Sequence, residues 1–525
     1  MRIIIFALVI MQILTITESK ALSKQESPYG GTLIWGTRHK PTIINPIYTT
    51  GSVSMSLLDL IFNRLVRINS KGEIEPDLAE RWEISPDGLA YTFYLRRGVK
   101  FHDGVECTAY DVKFTYDMMT DPKIGSPYSD LFQLVEDFKV MDKHTFRIRL
   151  KRPSAPFIYM LVREVVPKHI LEKADLKNST FNTHPIGTGP FKFKEWKEDD
   201  QIILEYNPVY YEGRPCLDKI VVKVCSDSRE LWTALMRGEI DYATFIERED
   251  YEVVKDDLSF KAYALPVDYY YAIHYNPNDL LLSDKRIREA IAHALDRKAL
   301  IERAAYGYGI ECRGPFYPES LGFNSDVKPY EYNPKESIRL LKEAGWKDEN
   351  NDGMLEKDGE ELELKVLVDS RSKIYQRIIM AVRQRLQEIG IKIKVVLYSD
   401  EKELTEEFLK KYKPQAHLKL FFASASDYVE EEWCSNSKRL GKLWIYENNE
   451  VDKLFELGEK TQDKDTRRKI YQEIHKLIYR DQPACFLYFP FVFHVVSIKF
   501  ENTDKYFALN MGTYTMKDWY IRERR

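Results

Sequence analysis

From Pro76 to Met119 the spacing of hydrophobic positions changes several times, and each change predicts an element. Trp82 and Ile84 lead into the turn sequence Ser85-Pro86-Asp87-Gly88, after which Tyr91, Phe93 and Leu95 alternate as in a half-buried hairpin strand. Arg97-Gly98 and Asp103-Gly104 supply two more turns. Thr108, with Asp111 three residues on, can satisfy free backbone donors at a helix start. Val112, Thr115, Tyr116 and Met119 then share one helical face.

The same reading extends along the chain. Thr32 to Trp35 is a short strand, and Leu57, Leu58, Ile61, Phe62 and Leu65 define a helical face. Phe191 to Phe193, Gln201 to Tyr206 and Val221 to Val224 are strand-like, and Leu231, Leu235 and Met236 mark a helix ending at Gly238. Tyr269 to Asn276 is a further strand. Ser283 or Asp284 can cap the helix carrying Ile287, Ala290, Ile291, Ala294 and Leu295. Leu362 to Val368, a helix through Ile374, Ile378, Val382, Leu386 and Ile389, and Ile391 to Leu397 form a βαβ unit, so a parallel pair is expected. Two helices, Val451 to Lys460 and Arg467 to Tyr479, precede a last apolar strand, ACFLYFPFVFHVV.

Composition fits a large globular chain. At 525 residues, 44% hydrophobic, it has the length of two to four domains at roughly 100–200 residues each. Its 78 basic and 82 acidic residues nearly balance, which gives no nucleic-acid surface. The 34 tyrosines suit a binding cleft or extra aromatic packing. At the N-terminus, Arg2 precedes an apolar run from Ile3 to Ile16, and Ser19-Lys20-Ala21 resembles a cleavage site, so residues 1–21 read as a signal peptide. The run is shorter than the roughly 18 residues of a membrane span. No cysteine precedes Cys107, so there is no lipid attachment site. The six cysteines contain no CxxC, leaving buried thiols or one long-range bridge.

Several motifs fail on inspection. Gly187-Thr188-Gly189-Pro190 lacks the third glycine and the Lys-Ser/Thr of a phosphate loop and reads as a tight turn. Asp348 to Gly353 begins like a calcium loop, but its twelfth position is Gly359, so a hairpin with charged turns is expected. His293 has no second histidine three or four positions away and reads as a helix-surface residue. GxSxG, HExxH and a Walker loop are absent, so no catalytic residue, cofactor or metal ligand is assigned. A carboxylate pair needs no local motif, and a secreted hydrolase stands as the rival class.

The order DLAE, W, S, DG, YTF, LR, GVKFHDG, TA, DV, F in the first stretch resembles the signature region of the peptide and nickel solute-binding proteins that serve ABC importers, the extracellular solute-binding family 5. GTGPF at 187–191, GEIDYA at 238–243 and REAIAHALDRKALI at 288–301 agree with it, and the resemblance covers roughly residues 31 to 500. It implies an α/β, two-lobed periplasmic-binding-protein fold of class II, with three domains, mixed sheets and a hinge. Residues 31–70, 186–268 and 490–525 would form lobe I, 71–185 an inserted domain, and 269–489 lobe II. The strand at Tyr269 to Asn276 is then a candidate hinge, and the last apolar strand returns the chain to lobe I.

The resemblance also implies a site. Peptide-binding relatives often carry W-x-A-D-Y-x-D-P after a strand, and their Asp pairs with the ligand's α-ammonium by a charge-assisted hydrogen bond. Asp427 and Tyr428 match that Asp-Tyr, whereas Ser424 stands in the Trp position and Val429-Glu430 replaces x-Asp-Pro. Either the pocket is enlarged or Asp427 is not the anchor but a helix cap. Tyr128 and Tyr270 match positions where relatives pack aromatic rings around the ligand, with core packing as the alternative. The implied function is capture of di- or oligopeptides in an interlobe cleft for a membrane permease, by a periplasmic monomer. Nickel chelates and oligosaccharides are the family's other solutes.

Overall fold

The strand Ala484–Ser497 organises the largest sheet, of 12 strands, in a computed structural model that describes residues 29–69, 71–197, 201–423, 433–435, 443–508 and 513–522. The main path runs Lys392–Tyr398, Glu363–Asp369, Ala416–Phe422, Tyr269–Tyr275, Ala484–Ser497, Tyr242–Thr244, Thr32–Thr37, Lys219–Val224, Gln201–Tyr206 and Phe191–Lys197. Neighbours are mixed in direction: Thr32–Thr37 is parallel to Lys219–Val224, which is antiparallel to Gln201–Tyr206. The leader expected at 1–21 lies outside the described residues. Among them, no helix is long and apolar enough to cross a membrane.

Ala484–Ser497 belongs to two half-sheets at once. Its first residues pair with Tyr269–Tyr275 (Ala484 opposite His274, Tyr488 opposite Tyr271), and Phe491 to Ser497 pair with Phe260–Pro266. Its burial follows the same division: Ala484 to Phe489 are buried, Pro490 to Val492 are half-exposed, and Phe493 to Val496 are buried again. Tyr488 packs in one hydrophobic core and Phe493 in another. The chain therefore crosses between half-sheets at Val267-Asp268 and returns at Pro490, where the Val267 amide donates to the Pro490 carbonyl at 3.2 Å. The strand Tyr269–Tyr275, expected as the crossing element, lies wholly on the far side; the crossing is the two-residue step before it.

Local rules explain the elements that flank this crossing. Glu363–Asp369 and Lys392–Tyr398 are parallel, joined by the helix Lys373–Gln387, which Ser372 caps by accepting from the Tyr375 amide. Ile378, Ile379, Val382 and Leu386 are its buried face, each contributing roughly 1.5–3 kcal/mol relative to exposure. The hairpin predicted around Ser85 pairs Ala79–Ile84 with Ala90–Leu95 in a separate four-stranded sheet with Val135–Asp142 and Thr145–Leu150. The helix Ala109–Thr120 follows, its Asp111 carboxylate accepting from Thr108 N (2.8 Å) and Thr108 Oγ1 (2.9 Å). Tyr116 on that helix stacks with Phe138 and Phe146.

The signature segment has an architectural task. His102 Nδ1 accepts from the Gly187 amide at 3.2 Å, and His102 Nε2 lies 3.1 Å from the Gly189 carbonyl, so a neutral ring bridges both ends of the Gly187-Thr188-Gly189 turn. That turn presses on the end of the helix Ser52–Ile61. A Cβ at Gly187 would stand 2.0 Å from the Ile61 carbonyl oxygen, which only glycine avoids. Cys107, Cys216, Cys225, Cys312 and Cys485 are free thiols.

Candidate functional site

Where the half-sheets meet, the alternation of a strand decides what faces the space between them. In Tyr269–Tyr275, successive side chains point to opposite faces. Tyr269 and Tyr271 turn towards a cavity of about 360 Å³, walled on one side by Arg38, Phe245 and Arg248 and on the other by Tyr306 and Arg377. A second cavity of about 1060 Å³ shares Glu247, Glu249 and Arg377 with it. Together they form a cleft with walls from both half-sheets, larger than the roughly 300–1,000 Å³ of ordinary small-molecule sites.

Tyr270 has the opposite parity and is 0% exposed. Its ring stacks on Phe421 (5.5 Å) and packs against Phe486 and Phe489. Of the two readings of Tyr270, core packing is therefore the one its position fits, and it is its neighbours Tyr269 and Tyr271 that line the cavity. Tyr128 is half-buried against the core that holds Phe62 and Tyr116. Its hydroxyl donates to the Thr49 carbonyl, and the Arg163 guanidinium lies 4.1 Å above its ring. It does not line either cavity. Ser424, Asp427 and Tyr428 lie outside the described residues. The strand that leads to them, Ala416–Phe422, is described, and the Ala423 amide donates to the Asp268 carbonyl at 2.6 Å. The described strand thus ends beside the crossing point.

The electrostatics of the cleft are two-sided. Glu247, Glu249 and Asp250 stand on one wall of the larger cavity, and Arg303, Lys373 and Arg377 on the other. Burial, then the neighbouring Glu247 and Glu249 carboxylates, raises the Asp250 carboxyl above its ordinary value. Arg38 is fixed in its wall, donating to Ser228 Oγ (2.8 Å) and the Phe245 carbonyl (3.1 Å) and pairing with Glu247 at 3.4 Å. The Tyr306 ring sits between two guanidinium groups, Arg248 at 3.7 Å and Arg377 at 5.3 Å, so cations from both walls meet on one aromatic face system. Tyr269 is pushed up to about 12 by burial and then by the Asp268 carboxylate, which keeps its hydroxyl a donor at any working pH. Such a cleft can hold an extended zwitterionic solute between aromatic faces and charges of both signs.

Sequence reasoning missed Arg38, Arg248, Tyr306 and Arg377, which come from four separated segments with no local motif. The Tyr269/Tyr271 pair was recoverable from strand parity alone.

A family model described as bacterial extracellular solute-binding proteins, family 5 Middle, matches residues 73–429. The oligopeptide-binding protein AppA of Bacillus subtilis (strain 168) is 32% identical over 474 residues, 88% of this chain and 86% of AppA. The structure of AppA from Bacillus subtilis in complex with a nonapeptide superposes with a TM-score of 0.75 at 30% identity, covering 94% of this chain and 99% of that one. NikZ from Campylobacter jejuni in complex with Ni(L-His) is also similar, at 26% identity and a TM-score of 0.75, covering 93% of this chain and 99% of that one.

Proposed function

The chain belongs to family 5 of the bacterial extracellular solute-binding proteins, and on that footing we propose that it is the substrate-binding component of an ABC importer that captures peptides. The observation that carries this reading is the cleft with Tyr269 and Tyr271 on its floor and oppositely charged walls from both half-sheets. A peptide lying extended there would gain sequence-independent affinity from main-chain hydrogen bonds, while roomy pockets accept its side chains. The similarity to AppA holding a nonapeptide supports the same ligand class.

In this reading residues 31–70, 186–268 and 490–525 form one lobe, 71–185 an inserted domain and 269–489 the other lobe. The crossings at Val267-Asp268 and Pro490 support that division. Closure about those crossings buries the peptide and presents the closed form to a membrane permease outside the cytoplasm. The protein acts as an exported monomer and performs no catalytic step. Asp427 pairs with the peptide ammonium, with Ser424 and Tyr428 beside it.

Native mass spectrometry of the purified protein tests the class of ligand: a peptide-sized mass released on denaturation is expected. A nickel chelate or a sugar in its place would transfer the protein to another solute, and turnover of added peptides would overturn the binding role. Calorimetry on Asp427→Ala tests the anchor. A loss of about 1.5–3 kcal/mol in peptide affinity is expected, and unchanged affinity removes Asp427 from the site.

A further inference from the structure

Away from the cleft, the segment Asp348-Glu349-Asn350-Asn351-Asp352-Gly353-Met354-Leu355-Glu356 curls so that one carboxylate oxygen from each of Asp348, Asp352 and Glu356 lies within 4.8 Å of the others. Clustered acidic side chains on a solvated turn mean little by themselves, and Asp348 and Asp352 are exposed. Glu356 is different. It is 7% exposed, its Oε2 accepts from the Glu349 amide at 2.9 Å, and its Oε1 is sealed from solvent with no hydrogen-bond partner. An unpaired buried carboxylate oxygen is costly and rare. Among the described residues no lysine or arginine forms an ion pair with any of the three carboxylates; Asp348 accepts from the Gly353 amide at 3.1 Å and Asp352 from the Met354 amide at 2.8 Å, and Lys392 acts on Asp352 only at a distance, so it is the Glu356 Oε1 that is left unmatched.

We propose that these three carboxylates hold a divalent cation, and that the cation is calcium. All the donors are oxygens, which suit a hard cation better than nickel or zinc, whose sites draw on imidazole or thiolate. The spacing D-x-N-x-D-G, with the carbonyl of Met354 next and Glu356 at the ninth position, follows the first part of a calcium loop; the buried Glu356 takes over from the missing carboxylate at position 12, where Gly359 stands. Magnesium, which demands near-ideal octahedral geometry and keeps its water, fits three carboxylates on an open turn less well. With only three charged donors and water completing the shell, affinity belongs to the weak extracellular range, on the order of 10⁻⁴–10⁻³ M.

The placement gives the cation a structural task. Leu355, next to Glu356, is buried, and its amide donates to the Gly390 carbonyl at 3.0 Å, just past the end of the helix Lys373–Gln387. The cleft residues Lys373 and Arg377 lie at that helix's other end, roughly 20 Å away at 1.5 Å per residue. Calcium therefore pins the hairpin against the scaffold of the cleft without touching the solute, and the proposal does not depend on which solute is bound.

The test is titration of the chelator-treated full chain with calcium chloride alone, read by calorimetry and by thermal unfolding. One saturable site and a rise in Tm of about 1–2 °C near ten times Kd are expected for the wild type, with a much smaller rise in magnesium chloride. Glu356→Gln and Asp352→Asn should lose both signals. Should Glu356→Gln fail to fold, Asp348→Asn, at an exposed position, reads the same heats. Absence of a calcium signal in the wild type, or its retention in the folded variants, overturns the proposal.

Discussion

Three successive tyrosines of one strand meet opposite surroundings, and this makes their roles separable. Tyr270→Ala removes a ring that Phe421, Phe486 and Phe489 enclose, and about 3–5 kcal/mol of stability should go with it. Tyr269→Ala faces the cavity and should leave the chain nearly as stable while weakening solute binding. Denaturant unfolding and calorimetry on the two variants distinguish them; equal losses of stability would contradict the parity assignment.

Buried histidines carry a second prediction at this scale. His475 Nδ1 accepts from the Asn324 amide at 2.9 Å and its Nε2 lies 2.7 Å from the Arg313 carbonyl, so protonating the ring would break the first bond. Burial lowers His475 to about 4, His494 to about 4 and His417, beside Lys419 as well, to about 3, against an ordinary 6.5. The unfolded chain thus binds protons first as the pH falls. The stability these neutral rings confer is complete above pH 6.5 and is lost on descent towards pH 4. A flat urea-unfolding free energy across that interval would refute the assignment.

At the scale of elements, the helix Ala109–Thr120 depends on one carboxylate. Asp111 accepts from Thr108 N and Oγ1 and from the Lys168 amide at 3.0 Å, so Asp111→Ala should cost about 1–3 kcal/mol. Gly189→Ala should be comparably harmful, because the new methyl would lie 2.5 Å from the Ile61 carbonyl carbon, which is main chain and cannot turn aside. Thermal unfolding of each variant measures both. These elements were legible in the sequence because caps, turns and hydrophobic periods are local. The βαβ unit at Glu363–Tyr398 was legible for the same reason. The exact crossing was not, since Pro490 and Val267 are set by pairing between segments more than two hundred residues apart, for which the sequence holds no local sign. The cleft cations Arg38, Arg248 and Arg377 stayed hidden likewise, while Asp427 was proposed through resemblance and lies outside the described residues.

For the whole molecule, the expected α/β periplasmic-binding-protein fold is the one found, and among the described residues its two half-sheets are joined as continuous chain at the crossings Val267-Asp268 and Pro490. Small-angle scattering should therefore show a smaller radius of gyration when a bound peptide closes the cleft. Arg377→Ala, which removes one cation from the Tyr306 ring, should shift that change to higher peptide concentration.

The adjacency of the crossing strands has one more consequence. Because Tyr271 stands opposite Tyr488, the segment between the crossings begins and ends on neighbouring strands, roughly 5 Å apart. Topologically it is a cassette: a stretch that leaves and re-enters the host at a single seam, so that it can be exchanged for another of different specificity, or carry a reporter at its junction, without rethreading the rest of the chain.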